Sequence, residues 1–214
     1  MDISKYGKVL VLAPHTDDGE LGAGGTIVRL IESGAEVFYA AFSTAETSVP
    51  EGFPKDILKT EVKNATLKLG IASERLLIYN YEVRKLNYVR QEILEELIRL
   101  RRQIDPDLVL LPSLNDIHQD HSTIAHEGLR AFKQKTILGY ELIWNNLTFS
   151  TSCFVKLEER HIKKKCEALK EYASQQHRDY ISEEFVYSLA TARGVQIGNK
   201  YAEAFEVIRW IVRA

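Results

Sequence analysis

The chain is expected to fold as an α/β protein, a three-layer sandwich with a mostly parallel sheet, and three observations predict this. Short apolar runs alternate with helical patterns along most of the 214 residues, the order expected of a sheet covered by helices on both sides. The first of these runs, residues 8–12, is Lys-Val-Leu-Val-Leu and has no polar face to offer water. The length suits one domain, with no internal repeat or low-complexity linker, so residues 1–214 are read as a single unit.

The elements follow in order. After the strand at 8–12, Ile27, Leu30 and Ile31 recur at helical spacing, and Gly34 is a stop. A second strand is read at 36–42, then a helix on Ile57, Leu58, Val62, Ala65 and Leu69 that Gly70 ends. Residues 75–79 form a third strand. Asn87 is expected to cap a helix carrying Ile93, Leu94, Leu97, Ile98 and Ile104, with a charged, solvated outer face. Residues 106–112 are a fourth strand, followed by a helix from beyond His121 to about Ala131 and a strand at 137–144. Residues 145–153 read as a loop, either beside the substrate or on the ordinary surface. A last helix from Leu157 carries Ile162, Cys166, Leu169 and Ala173, with Lys163, Lys164 and Lys165 taken as solvent-facing.

Composition narrows the function. A hydrophobic fraction of 45% and a net charge of -2 match neither a nucleic-acid binder nor a disordered chain. Cys153 and Cys166 form no CxxC pair and read as reduced thiols. The apolar run ending at Ala13 is short for a signal peptide and no run is long enough to span a bilayer, so a cytoplasmic location without membrane partners is expected. His126, His161 and His177 have no neighbours at ligand spacing and read as structural or surface residues.

Two clusters carry chemistry. His15, Asp17 and Asp18 lie between the first strand and its helix, where an imidazole and a carboxylate can ligate a borderline cation while a second carboxylate handles a proton. Taken alone, the acidic residues would serve equally well as helix caps. The glycines at 22, 24 and 25 lack the spacing of a dinucleotide fingerprint or P-loop. The second cluster, His118, Asp120 and His121, follows the fourth strand, so both clusters belong to the same rim of an open α/β sheet.

Together the motifs His15-Thr16-Asp17-Asp18-Gly19-Glu20 and His118-Gln119-Asp120-His121 resemble those of the PIG-L/LmbE-like zinc-dependent N-acetylglucosaminyl deacetylases. Ser174-Gln175 and the closing stretch Gly194, Gly198 and Tyr201-Ala202-Glu203-Ala204-Phe205 are similar too. Thr16 departs from the family's proline, with Pro14 now preceding the histidine, which moves the local backbone restraint. The resemblance implies a Rossmann-like domain in which His15, Asp18 and His121 hold Zn2+ or another divalent metal. It further implies that Asp17 is the general base for attack of a zinc-bound water, and that His118 stabilises the oxyanion. Asp120 would favour protonated His118, and either Asp17 or His118 would protonate the leaving amine.

The implied reaction removes acetyl from an N-acetylglucosamine-type sugar or related small amide. The expected partner is a small soluble N-acetylated sugar. Glu46, Arg193 and Tyr201 are candidate sugar contacts, although helix capping and core packing account for them equally well. A homo-oligomer is compatible with apolar Trp144, Phe149 and Trp210. The alternative is a non-catalytic Rossmann-like sugar- or nucleotide-binding domain with a structural or absent metal; a nucleotide-dependent oxidoreductase lacks its glycine fingerprint.

Overall fold

In the first strand, β1 (Lys8–His15), the two faces bury different residues. Val9, Val11 and Ala13 enter one apolar cluster, and Leu10 and Leu12 enter another on the opposite face. Side chains alternate across a strand, so a run that is apolar at every position belongs in a sheet with helices on both sides. The computed structural model describes residues 3–212 and shows that arrangement.

The sheet has seven strands in the order β3-β2-β1-β4-β5-β7-β6. Strands β2 (Glu36–Ser43), β3 (Leu76–Ile78), β4 (Leu108–Pro112) and β5 (Thr136–Tyr140) extend β1 as a parallel block. At its edge, β7 (Tyr201–Arg209) runs antiparallel to both β5 and β6 (Cys153–Leu157). On one face lie α1 (Asp18–Glu32), α2 (Ile57–Leu69), α5 (Glu159–Leu169) and α6 (Glu183–Val195). On the other lie α3 (Arg90–Ile104) and α4 (Gln119–Ala131). The α/β sandwich read from the sequence is the observed fold.

Several local expectations are corrected. Asn87 does not cap α3; it lies in a 3-10 turn, Leu86–Val89, that feeds the helix. Strand β5 ends at Tyr140 rather than 144, because Asn146 Oδ1 accepts the Leu142 amide at 2.8 Å and the Leu142 carbonyl takes the Asn145 amide at 2.8 Å, closing a turn instead. The strands β6 and β7 and the helix α6 are additions. Strand β7 is hidden in sequence by Glu203 and Glu206, which are buried in it at 7% exposure each. Glu206 accepts from Ser113 Oγ at 2.7 Å and from the Ser150 amide at 3.1 Å.

Glu203 explains a second correction, to Lys165. That residue is 5% exposed, not solvent-facing, and its Nζ lies 2.8 Å from Glu203 Oε1 and 2.7 Å from the Leu21 carbonyl. The same carboxylate accepts the amides of Gly25 and Thr26 at 3.0 and 2.7 Å. The ion pair thus joins α5, β7 and the middle of α1 with its polar atoms partnered. The α1 glycines allow this close approach: a Cβ on Gly22 would come 2.3 Å from the Tyr140 ring, and one on Gly24 2.8 Å from the Lys165 stem. Here the glycines serve packing rather than a phosphate.

Removing one partner of a buried pair leaves the other charge uncompensated. Lys165→Met is expected to lower unfolding free energy by about 3–5 kcal/mol, read from urea titrations, and a loss below about 1 kcal/mol would show the pair to be dispensable.

Candidate metal centre and active-site cleft

Strand order reverses between β1 and β4. Helix α1 follows β1 onto one face of the sheet and α4 follows β4 onto the other, so the crevice beyond their carboxyl ends is left open. His15 is the last residue of β1 and Asp18 the first of α1; His118 is the N-cap of α4, and His121 stands in its first turn. The two sequence clusters meet there, lining a cleft of about 250 Å³.

Three donor atoms converge. His15 Nδ1 and His121 Nε2 each lie 3.2 Å from Asp18 Oδ2 and 3.1 Å from one another. Ligands on one tetrahedral zinc, at about 2.0–2.1 Å from the metal, stand about 3.3–3.4 Å apart, close to this triangle. The outer nitrogens agree with that use. His15 Nε2 is 3.0 Å from Asp120 Oδ2 and His121 Nδ1 is 2.8 Å from Asp116 Oδ2. A carboxylate on the far nitrogen draws the ring proton there and leaves the near nitrogen's lone pair facing the centre.

His118 differs. Its ring belongs to the same group of three imidazoles, whose ligand atoms lie within 4.8 Å of one another. Its Nδ1, however, accepts the Asp120 amide at 3.2 Å as a helix cap, which places the proton on Nε2. The donor set that fits a divalent cation is therefore His15, Asp18 and His121, with His118 beside it as an N–H donor.

Electrostatics follow the same division. Burial acts against charge on His15 and His121, but Asp18 and the outer carboxylates outweigh it and raise them to about 9 and about 10. Burial also acts against ionised Asp18, yet the two imidazoles hold its carboxyl well below the usual range. A centre that gathers positive charge in this way suits a cation bound in competition with protons. Burial, followed by repulsion from His121 and His15, lowers His118 to about 4. Asp17 is half-buried, makes no helix-capping hydrogen bond and lines the cleft; burial and then the Asp18 charge raise it to about 6.

The Asp120 carboxylate bonds His15 and the amides of Arg84 and Leu86, at 2.6 and 3.2 Å, and its hydrogen bond to His118 is made by its backbone amide. Its charge does act to raise His118, as expected, but burial and the two other histidines outweigh it. Asp116 went unassigned in the sequence, although it bridges both histidines: Oδ1 takes the His118 amide at 2.8 Å while Oδ2 faces His121. Its signal there was only an acidic residue two before a candidate histidine.

The restraint lost with proline at position 16 is replaced. The Thr16 carbonyl accepts the hydroxyls of Tyr39 and Tyr172 at 2.9 and 2.7 Å, and both hydroxyls also contact Glu20. Two hydroxyl protons cannot serve four contacts; burial raises Glu20 to about 8, and its own proton supplies a third.

Glu46, Arg193 and Tyr201 are not among the cleft-lining residues. Glu46 pairs with Lys59 at 2.8 Å, Arg193 Nε donates to Glu141 at 2.9 Å, and Tyr201 is buried against Tyr187. Trp144, placed by the sequence reading at a strand end, instead stacks on Tyr180 with ring centroids 4.0 Å apart, and both line the cleft with Gln175. Among the described residues no helix is long and apolar enough to cross a membrane.

Comparison with known proteins places this arrangement. Residues 10–132 match the family described as PIG-L: GlcNAc-PI de-N-acetylase. The chain is similar to the diacetylchitobiose deacetylase of Thermococcus kodakarensis, 24% identical over 94% of this chain and 83% of that protein. It is similar in structure to the conserved protein TT1542 from Thermus thermophilus, with a TM-score of 0.81, 25% identity and 96% of each chain covered. It also shares its fold, at a TM-score of 0.78 and 19% identity over 97% of this chain and 98% of the other, with GalB, the 4-carboxy-2-hydroxymuconate hydratase of Pseudomonas putida KT2440. That last likeness carries fold alone, and the reaction has to be argued from the site. Because the family match takes in both histidine clusters, from β1 through α4, the chain belongs to the PIG-L family.

Proposed function

We propose that this protein is a metal-dependent N-deacetylase that hydrolyses the acetamide of an N-acetylglucosamine-type amino sugar. The observation that carries the reading is the triangle of His15 Nδ1, Asp18 Oδ2 and His121 Nε2, with the uncommitted Asp17 carboxylate beside it in the cleft. The family description and the deacetylase named among its relatives support it.

A divalent cation held by those three residues, zinc on the character of the donors, would polarise the amide carbonyl and lower the pKa of a bound water from about 15.7 toward about 7. Asp120 and Asp116 orient the two histidines for this purpose. Asp17 takes the proton of the attacking water. His118, neutral at working pH, donates its Nε2–H to the developing oxyanion, a task that needs a hydrogen bond rather than a charge. Because His118 is held neutral, proton delivery to the departing amine falls to Asp17. A non-catalytic sugar- or nucleotide-binding domain would leave Asp17 without a task.

Metal content by elemental mass spectrometry, with acetate release from N-acetylated amino sugars, tests the reading. About one divalent ion per chain is expected, lost in His121→Ala. Asp116→Ala, which removes the orienting carboxylate, is expected to weaken metal affinity about 10–100-fold; unchanged affinity would show that this bond does not tune the ligand. Asp17→Asn should keep the metal and lose at least about 100-fold in turnover. Since Asp17 acts as a carboxylate and burial raises it to about 6, wild-type kcat/KM should fall on the acid side of a limb at or below that pH, a bound cation moving the limb lower. A near-normal rate in Asp17→Asn would remove it from the base role. His118→Ala should retain the metal and lose about 100-fold in kcat; loss of metal instead would make His118 a ligand.

A further inference from the structure

Two arginines in the cleft have no part in the chemistry described above. Arg84 stands at φ 66°, a left-handed conformation uncommon for any residue but glycine. It is held there by its amide, 2.6 Å from Asp120 Oδ2, the same oxygen that bonds His15. The residue is exposed and its side chain lines the cleft; among the described residues its guanidinium has no ion pair or hydrogen bond. Arg178 enters from the other side. Its Nε donates to Gln175 Oε1 at 2.8 Å and its Nη1 to the Tyr180 hydroxyl at 2.5 Å, both neutral groups; its charge favours the ionised form of nearby Asp17, but among the described residues it makes no ion pair with a carboxylate.

The charge of the remaining wall is one-sided. Among the described residues, Asp17 and Asp18 are the only carboxylates lining the cleft, and both belong to the reaction centre. Beyond that centre, Arg84 and Arg178 are the only charged groups that the described residues place on its walls. Arg193 shows the contrast: its guanidinium is closed off by Glu141 and stands outside the cleft. A neutral sugar gains little by exchanging water for a guanidinium, whereas an oxyanion gains charge-assisted, often paired, hydrogen bonds. At about 250 Å³ the cleft is at the small end of ligand sites, with room for one ring and what is attached directly to it.

We propose, resting on the deacetylase reading, that Arg84 and Arg178 make this cleft selective for an acetamido sugar bearing an anionic substituent, phosphate or carboxylate, directly on the ring. The left-handed backbone at Arg84 then serves to aim its side chain at that substituent.

The test compares acetate release by the metal-loaded full chain from four probes: N-acetylglucosamine, its 1-phosphate, its 6-phosphate and its carboxymethyl glycoside. At least one anionic probe is expected to exceed the neutral sugar by about tenfold or more in kcat/KM, chiefly through KM, with the preference shrinking as salt rises. The probe that wins tells phosphate from carboxylate. Arg84→Gln and Arg178→Gln should each reduce the ratio of anionic to neutral kcat/KM, the double substitution should bring it to about one, and Arg178→Lys should keep part of it. Equal turnover of all four probes, or a preference that survives the double substitution, overturns the inference. Acetate from none of them would count against the deacetylase reading instead. Calorimetric binding of the same probes then decides the arginines: tighter anionic binding lost in the double variant supports their role, and equal binding overturns it.

Discussion

The pairing of β1 with β4 is the constraint on which the rest of the site depends. Three parallel partners, Val9 with Leu108, Leu10 with Val109 and Val11 with Leu110, align two strands about a hundred residues apart in sequence. That register sets the carboxyl ends of both strands at one level. It also makes β1 the strand from which the sheet is built in both directions, so that a crevice opens where the following helices part. The contacts of His15 with Asp120 and His121 exist only through that alignment. A slip of one residue would turn every side chain of β1 to the opposite face and scatter the donors.

Within the crevice, second-neighbour carboxylates do most of the discrimination. His15, His118 and His121 are the same residue type within 4.8 Å of each other, yet they differ in which nitrogen is occupied from behind. Asp120 and Asp116 occupy the outer nitrogens of two rings, and a backbone amide occupies that of the third. Two rings can thus turn lone pairs inward once a cation displaces their inner protons, while the third presents an N–H.

Polar burial recurs through the rest of the molecule and explains much of what was hard to read. Glu20, Glu61, Glu127, Glu203 and Glu206 are all buried, each held by hydroxyl, amide or cationic partners from other elements. A glutamate in a strand or on a helix reads as solvent-facing by its own chemistry, because an unpartnered buried charge is costly. Strand β7 went unread for that reason, and so did the inward turn of Lys165. Asn87 failed as a cap because the preceding chain was already turning as a 3-10 segment.

What the sequence determined alone was local and periodic. Apolar runs gave β1, β2 and β4, helical spacing and glycine stops gave α1 and α2, and residue types at short spacing, joined to the family resemblance they carry, gave His15, Asp17, Asp18, His118, Asp120 and His121 as the candidate site. Tertiary structure decided everything that depends on direction and on distant partners. It placed the Asp120 carboxylate on the outer nitrogen of His15, and it brought Asp116 to that of His121. It closed Arg193 on Glu141 while leaving Arg84 and Arg178 facing the cleft. The reason is physical: a residue's type sets which bonds it can make, but hydrogen bonds and ion pairs act over about 3 Å, and only the packed sheet determines which groups come that close.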